Sequence, residues 1–341
     1  MSQPDSFPSV IANSNARSIS FRSVHRRKFI AATSAAVVGY HVGTSSVDAA
    51  ISGAEVIVGD GEFQYRVHHH WAQLPAQYSW QTTHNVAVDR AGNLYVIHEG
   101  NRELNDHPSI FVFDEQGRFV RAFGSQFQGG GHGLEVRQEG NEEFLYVTGY
   151  QQVKSFAKLS LTGETVWQQY APMQSGRDAD GEADPPELKG GRDRFMPTNF
   201  AFLPDGGFFL ADGYGSYTIH RYNANGKWLS CFGGEGEGKG TFQTPHGLWI
   251  DDRGVEPIIV VTDRAHHTLQ RFTLDGKYLS TQDGFGLPAN IDVQGSLMLV
   301  PELIARISIL DRDNRIVAQL GDDGERIRAD SKHSIRRDPS Q

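Results

Sequence analysis

The chain has 341 residues, a formal net charge of −9, 38 glycines and one cysteine. This length accommodates one large β domain or two smaller ones. Because Cys231 is the only cysteine, an internal disulfide and a cysteine-based zinc site are both excluded, so any metal must be held by histidines and carboxylates. The acidic balance argues against nucleic acid as a partner, since phosphate binding needs clustered cations.

The first fifty residues differ in composition from the rest of the chain. Arg26-Arg27-Lys28 precedes a run of small and apolar residues, and Val47-Asp48-Ala49 closes the segment. This order is typical of a secretory signal, and twin arginines followed by Phe-Ile resemble a twin-arginine signal. We expect residues 1–50 to be cleaved and residues 51–341 to be exported to the periplasm or beyond the cell. The alternative is a retained signal that tethers the protein to a membrane; no later stretch is apolar enough to span one.

A unit of similar sequence recurs through residues 51–341. Its starts are His84-Asn85, His132-Gly133, Thr198-Asn199, His246-Gly247, Ala289-Asn290 and His333-Ser334. The starts lie about 45 residues apart, which is typical of propeller blades. The step from the second to the third is longer, and residues 173–194 within it, rich in Gly, Asp, Pro and Glu, are predicted to be an inserted surface loop.

Short apolar runs and turn residues predict the strands inside each unit. Residues 55–58 and 63–71 are predicted strands ahead of the first start that pair with the end of the chain and close the ring. The predicted second strands are Leu94–Ile97, Phe144–Val147, Gly207–Leu210 and Ile258–Val261. Hairpin turns are predicted at Asp114–Gly117, Leu161–Gly163, Asn223–Gly226, Asp275-Gly276 and Asp311–Asn314. The pattern predicts an all-β, six-bladed propeller, whose C-terminal blade is incomplete or is completed by the N-terminal strands.

Histidines stand at the same position of several repeats. His84, His132 and His246 share it, and His333 is a fourth candidate in a polar tail. Residues at one repeat position converge on the axis of a propeller, and converging neutral imidazoles are a zinc-binding arrangement. The alternative is that these histidines are packing residues of the repeat.

The stretch from Phe195 to Gly276 resembles the NHL-repeat peptidyl-α-hydroxyglycine α-amidating lyases, also called peptidylamidoglycolate lyases. The matching residues include Pro197-Thr198-Asn199-Phe200, Asp212-Gly213-Tyr214, Pro245-His246-Gly247-Leu248 and Thr262-Asp263-Arg264. The resemblance extends more weakly from Val86 to Gly321. It implies a six-bladed propeller that cleaves a peptidyl-α-hydroxyglycine to a peptide amide and glyoxylate, with an axial zinc and a structural calcium.

The resemblance also implies roles for individual residues. His132 and His246 match two zinc ligands, Tyr214 matches the proposed base, and Arg264 matches an active-site arginine. The backbone carbonyls of Val86 and Leu134 match calcium ligands. The chain departs from the family in two places: Glu99 stands where the family has a second arginine, and His333-Ser334 stands where the family has the third zinc ligand followed by an aspartate. His84 is an additional axial histidine that is able to substitute for that ligand.

Three functions therefore remain open from the sequence. The first is an exported zinc lyase, acting as a monomer on a small-molecule or peptide substrate that bears a carboxylate. The second is a non-catalytic NHL propeller that binds a partner through one face. The third is a lactonase-like propeller hydrolase that uses the same axial metal.

Overall fold

The computed structural model describes residues 56–100, 103–104, 107–179 and 191–321. In these ranges the chain forms β-strands and two single-turn 3-10 helices, Ser125–Phe127 and Met173–Ser175. The expectation of an all-β protein is confirmed. Within the same ranges, no helix is long and apolar enough to cross a membrane. The predicted export signal, residues 1–50, lies outside the described residues.

Five four-stranded antiparallel sheets follow one another along the chain, after a two-stranded sheet at its start. The two-stranded sheet is formed by β1 (Val56–Val58) and β2 (Tyr65–Val67). Blade 1 consists of β3 (Thr83–Val88), β4 (Leu94–His98), β5 (Ile110–Phe113) and β6 (Phe119–Phe123). Blade 2 consists of β7 (Gly131–Glu139), β8 (Glu142–Gly149), β9 (Ser155–Ser160) and β10 (Thr165–Gln169), and blade 3 of β11 (Phe200–Phe202), β12 (Phe208–Ala211), β13 (Thr218–Tyr222) and β14 (Trp228–Gly233). Blade 4 consists of β15 (Pro245–Asp251), β16 (Ile258–Asp263), β17 (Thr268–Phe272) and β18 (Tyr278–Gln282), and blade 5 of β19 (Asp292–Gln294), β20 (Leu297–Glu302), β21 (Arg306–Leu310) and β22 (Ile316–Gly321). Each strand pairs with its successor, which is the meander of a β-propeller blade.

The position of a strand within its blade follows from its sequence. The second and third strands are apolar on both faces, and β4 is buried along its whole length, because blades pack face to face. The fourth strands alternate with polar residues and are partly exposed. The five predicted hairpin turns all connect the third and fourth strands, which confirms them. Four carry a glycine with positive φ, and in the fifth Asn314 takes that conformation at φ 63°.

Apolar clusters join the blades in chain order. Separate clusters lie between blades 1 and 2, blades 2 and 3, blades 3 and 4, and blades 4 and 5. The first strands of blades 1 to 4 also contact one another, β3 with β7, β7 with β11 and β11 with β15. These strands therefore form the innermost layer, and the residues at their beginnings surround the axis.

The segment before blade 1 packs against both blade 1 and blade 5. Phe63 and Tyr65 pack against Ile307 and Leu320 of blade 5. Trp71, Ala72, Leu74 and Tyr78 pack against blade 1. The segment thus lies between blades 5 and 1, but β1 and β2 pair with each other, so the expected pairing with the end of the chain is not seen in the described part. Five blades are described, the expectation of six is not confirmed, and His333 lies outside the described residues.

The predicted insertion joins blades 2 and 3. It begins with the 3-10 turn Met173–Ser175, and the amide of Ala179 donates to the carbonyl of Asp193 at 2.8 Å, so the two ends of the insertion are held together. Residues 180–190 of the predicted loop lie outside the described ranges. No strand forms in the described parts of the insertion.

Candidate active site on the propeller axis

His132 and His246 occupy the beginnings of the innermost strands of blades 2 and 4. Both side chains are buried, and their ring centroids are 4.8 Å apart. Nδ1 of His132 lies 3.0 Å from the carbonyl of Thr198, and Nδ1 of His246 lies 2.6 Å from the carbonyl of Ala289. Because a carbonyl only accepts, each Nδ1 carries the proton and each Nε2 presents its lone pair. A backbone carbonyl that fixes the tautomer in this way is typical of metal-ligating histidines.

The glycine after each of these histidines allows the next blade to approach. A Cβ on Gly133 would lie 2.3 Å from the carbonyl oxygen of Thr198, and a Cβ on Gly247 would lie 2.6 Å from Cα of Asn290. The glycine amides donate at 2.6 Å to the hydroxyls of Thr148 and Thr262. The His-Gly dipeptide therefore brings the supporting carbonyl of the next blade within reach of the imidazole.

His84 of blade 1 joins the pair. Its ring stacks on that of His132, with centroids 4.4 Å apart and an interplanar angle of 30°. Burial lowers the pKa of His84 to about 3, with further lowering by the positive charges of Arg264 and His98. Burial likewise holds the pKa of His132 and of His246 well below the ordinary value. All three imidazoles are thus neutral at pH 7, as metal ligands must be.

Tyr214 and Arg264, the predicted catalytic residues, come together beside His246. The Tyr214 hydroxyl lies 3.0 Å from Nε2 of His246, and Nη1 of Arg264 donates to the same oxygen at 2.9 Å. Since Nδ1 of His246 carries that ring's proton, the tyrosine O–H donates to Nε2. The guanidinium carbon lies 5.0 Å from the centre of the Tyr214 ring. The Tyr214 hydroxyl therefore donates to His246 and accepts from the Arg264 cation.

Tyr150 is a site residue that the sequence reading missed. Its ring packs against His84, His132 and Tyr214, at centroid distances of 5.6, 5.0 and 5.1 Å. Burial raises the pKa of Tyr150 above its ordinary value, and the neighbouring Tyr214 and Glu99 raise it further, so the phenol remains a proton donor. The dipeptide Gly149-Tyr150 ends the second strand of blade 2, as Gly213-Tyr214 follows that of blade 3, and this repetition was the available signal.

Glu99 is part of the same site. Its Oε1 lies 3.5 Å from the Tyr150 hydroxyl, which also accepts from Nε2 of Gln151 at 2.9 Å. The position at which the resemblance expects an arginine is thus occupied by a carboxylate that faces the axial site through Tyr150. Tyr150, Tyr214, Arg264 and Glu99 all follow the second strands of their blades, so the chemistry is concentrated at one end of the ring.

Asparagines occupy the position after the repeat start in the odd-numbered blades. The amide nitrogen of Asn85 lies 3.4 Å from Oδ1 of Asn199, that of Asn199 lies 2.7 Å from Oδ1 of Asn290, and that of Asn290 lies 3.4 Å from Oδ1 of Asn85. The three amides form a closed ring across the axis. Blades 1, 3 and 5 are therefore tied together by side chains, next to the histidine layer.

The fit of the site to a metal ion rests on the donors that it holds. Nε2 of His132 is buried and has no hydrogen-bond partner, as expected of a nitrogen that coordinates a ligand. Within the described ranges, no three His, Cys, Asp or Glu side chains are already arranged as a metal cluster. The predicted calcium carbonyls belong to Val86 and Leu134, which lie two residues after His84 and His132 on β3 and β7. The fourth predicted histidine, His333, is outside the described residues.

The solved structures that are similar to the chain include the following three. A protein of unknown function from Bacteroides caccae is 12% identical over 76% of this chain and 85% of its own, with a TM-score of 0.48. Virginiamycin B lyase from Staphylococcus aureus is 12% identical over 70% of this chain and 69% of its own, with a TM-score of 0.47. A nidogen/laminin complex is 12% identical over 70% of this chain and 79% of its own, with a TM-score of 0.48. No protein-family profile and no curated protein matches the sequence.

Proposed function

We propose that the protein is an exported carbon–nitrogen lyase that cleaves α-hydroxylated glycine amides to an amide and glyoxylate. One observation carries the proposal: the Tyr214 oxygen lies between Nε2 of His246 and Nη1 of Arg264, beside the unpartnered Nε2 of His132. A proton-transfer group, a carboxylate-binding cation and two metal-competent nitrogens thus share one site. The resemblance to amidating lyases assigns these same side chains to this reaction.

His132 and His246 are the proposed zinc ligands, with His84 as the candidate third ligand, and His333 is the alternative in the C-terminal segment. A bound zinc would act as a Lewis acid that lowers the pKa of the substrate hydroxyl. The neutral imidazoles and carbonyl-fixed tautomers of His132 and His246 support this assignment. Calcium at the carbonyls of Val86 and Leu134 remains part of the proposal.

Arg264 is proposed to bind the substrate carboxylate. Its Nη1 donates to Tyr214, and the remaining N–H groups of a guanidinium, which has five, are available for a carboxylate. The structure describes no acidic side chain in ion-pair contact with Arg264. Binding of the carboxylate at this point would place the α-hydroxyl close to the Tyr214 oxygen.

Tyr214 is proposed to exchange the proton. With zinc on Nε2 of His246, the Tyr214 hydroxyl would no longer donate to that nitrogen, and its proton would be released to solvent. The phenolate oxygen takes the proton of the substrate hydroxyl and becomes a phenol, while the carbon–oxygen double bond of glyoxylate forms and the carbon–nitrogen bond breaks. The phenol then gives this proton to the departing amide nitrogen, which regenerates the phenolate and releases a neutral amide. Arg264 stabilises negative charge on the Tyr214 oxygen through its charged hydrogen bond, and a positioned acid–base group contributes about 10²–10⁴-fold to a rate.

Glyoxylate release from a peptidyl-α-hydroxyglycine by the zinc-loaded protein tests the proposal. We expect release by the wild type, a loss of about 10²–10⁴-fold in kcat with Tyr214→Phe, and no change with Tyr170→Phe, an exposed tyrosine at the outer edge of blade 2. Zinc binding without glyoxylate release would contradict the lyase and favour the lactonase-like hydrolase. A protein that binds no metal and releases no glyoxylate would favour the non-catalytic propeller.

A further inference from the structure

Two opposite charges flank the tyrosine pair of the axial site. Oε1 of Glu99 lies 3.5 Å from the Tyr150 hydroxyl, and Nη1 of Arg264 lies 2.9 Å from the Tyr214 hydroxyl. The two tyrosine rings pack against each other, with centroids 5.1 Å apart and an interplanar angle of 33°. A carboxylate and a guanidinium are therefore held apart by an aromatic wall instead of forming an ion pair.

The position of Glu99 is fixed by its backbone. Its amide donates to the carbonyl of Thr82 at 2.8 Å, and its own carbonyl accepts from the amides of Gly130 and Gly131 at 2.9 and 3.3 Å. These bonds join the end of β4 to the segment before β3 and to the beginning of blade 2. The backbone of Glu99 thus has a defined place beside the axial site, as the backbone of binding groups on rigid elements does.

Neither charge has an ion-pair partner among the described residues. In the described ranges no lysine or arginine forms an ion pair with Glu99, and no aspartate or glutamate forms one with Arg264. Both side chains are half-buried, and a half-buried charge without a partner is costly unless a ligand supplies one. Two such charges of opposite sign in one site are complementary to a ligand with two charged ends.

We propose that Glu99 and Arg264 bind the two ends of a dipolar substrate, an α-hydroxylated amide that carries a free ammonium group as well as its carboxylate. Cleavage of this substrate class rests on the proposed lyase function, whereas its binding by Glu99 and Arg264 does not. Arg264 holds the carboxylate and Glu99 holds the ammonium group of the amide-forming part. The two charges contact the hydroxyls of rings whose centroids are 5.1 Å apart, and a chain of two residues spans about 7 Å between its ends. A short separation of this kind favours unblocked amino acids or very short peptides as the amide-forming partners.

The first test compares two substrates that differ in one charge: glycyl-α-hydroxyglycine and its N-acetyl derivative. We expect the wild type to favour the free amine by about tenfold in kcat/KM, an interaction worth one ordinary charged hydrogen bond. Glu99→Gln keeps a hydrogen-bond acceptor for Tyr150 but removes the charge, and it should abolish the preference. Glu115→Gln, in the exposed hairpin turn of the same blade, should retain it.

The second test measures binding without chemistry, so that failure of the lyase and failure of the substrate class are distinguishable. Calorimetry compares glycylglycine with N-acetylglycylglycine on the wild type, Glu99→Gln and Glu115→Gln. Tighter binding of glycylglycine that is lost only in Glu99→Gln supports the inference even if neither substrate releases glyoxylate. Equal affinity for the two dipeptides, no binding of either, or a preference that survives in Glu99→Gln overturns it.

Discussion

The even-numbered and odd-numbered blades contribute differently to the axis. Blades 2 and 4 each begin with His-Gly and place a buried imidazole there, His132 and His246. Blades 1, 3 and 5 place Asn85, Asn199 and Asn290 at the following position, where their amides form a closed ring. The even set therefore carries the two His-Gly imidazoles, and the odd set carries a ring of neutral amides, to which blade 1 adds the imidazole of His84.

The two sets also depend on each other. Each even blade takes the hydrogen-bond acceptor for its Nδ1 from the odd blade that follows, His132 from Thr198 and His246 from Ala289. A residue with no ionisable side chain thus orients each imidazole through its carbonyl. The repeat positions without histidine are therefore part of the site, because they determine the tautomer and the orientation of the neighbouring imidazole.

The largest effect is expected from removing the imidazoles of the even blades. The double variant His132→Ala, His246→Ala should lose bound zinc, and glyoxylate release should fall on the order of 10³-fold or more, because both fixed donors are gone. Metal content by mass spectrometry and the glyoxylate assay check this. His69→Ala, an exposed histidine in a turn after β2, is the control. Retention of one zinc per chain in the double variant would show that the metal binds elsewhere.

A second expectation concerns the glycines that let odd blades approach even ones. Gly133→Ala or Gly247→Ala should lower the free energy of unfolding by about 1–3 kcal/mol, since the added Cβ meets backbone of the next blade. The displaced carbonyl should also weaken zinc binding by about 10–100-fold. Denaturant unfolding and metal titration measure both. In the control Gly238→Ala the nearest atom to a Cβ is 3.7 Å away, so equal stability of all three variants would contradict the account.

A smaller effect is expected from opening the asparagine ring. Asn199 donates to Asn290, accepts from Asn85, and also accepts from the amide of Phe200 at 2.9 Å. Asn199→Ala leaves these buried groups without partners and should cost about 1–3 kcal/mol of unfolding free energy. Asn225→Ala, in the exposed hairpin turn of the same blade, is the matched control. An unchanged unfolding midpoint in Asn199→Ala would show that the ring does not tie the odd blades together.

The last expectation concerns a buried imidazole that lies off the axis and whose effect is small near neutral pH. Burial lowers the pKa of His220 in blade 3 from 6.5 to about 3, with further lowering by Arg177. Between pH 6.5 and pH 3, His220 is therefore protonated in the unfolded chain but not in the folded chain. The free energy of unfolding is at its full value above pH 6.5 and decreases as the pH falls towards 3. The slope from one histidine reaches about 1.4 kcal/mol per pH unit.

Unfolding of the metal-free protein at several acid pH values measures this slope. His220→Gln should flatten the pH dependence relative to the wild type, and exposed His69→Gln should leave it unchanged. An identical slope in His220→Gln and the wild type would contradict the assignment of a depressed pKa to His220.

The sequence was sufficient for the blades but not for their number. Alternation and turn residues such as Asp114–Gly117 and Asn223–Gly226 place strands correctly because strand and turn propensities are local. Six blades were expected from the spacing of the repeat starts and from the family resemblance, with His333 as the start of the last one. Whether residues 56–82 pair with the end of the chain or with themselves depends on long-range contacts, which a repeat pattern does not contain.

The site shows the same limit. His84, His132, His246, Tyr214 and Arg264 were predicted and lie together in the structure. Tyr150 was not predicted although Gly149-Tyr150 repeats Gly213-Tyr214. The asparagine ring was not predicted because its hydrogen bonds cross the axis between residues that are distant in the sequence. The placement of Glu99 against Tyr150 depends on a contact between the loops that follow β4 and β8 in two neighbouring blades, so a single sequence does not reveal it.

Anomalous diffraction at the zinc edge tests the central claim most directly. Crystals of the mature protein soaked in zinc should show one strong peak on the axis, within coordination distance of Nε2 of His132 and Nε2 of His246, at about 2.0–2.1 Å from each. A peak confined to other histidines, or no axial peak in zinc-saturated crystals, would contradict the assignment of the even-numbered blades as the metal-binding half of the site.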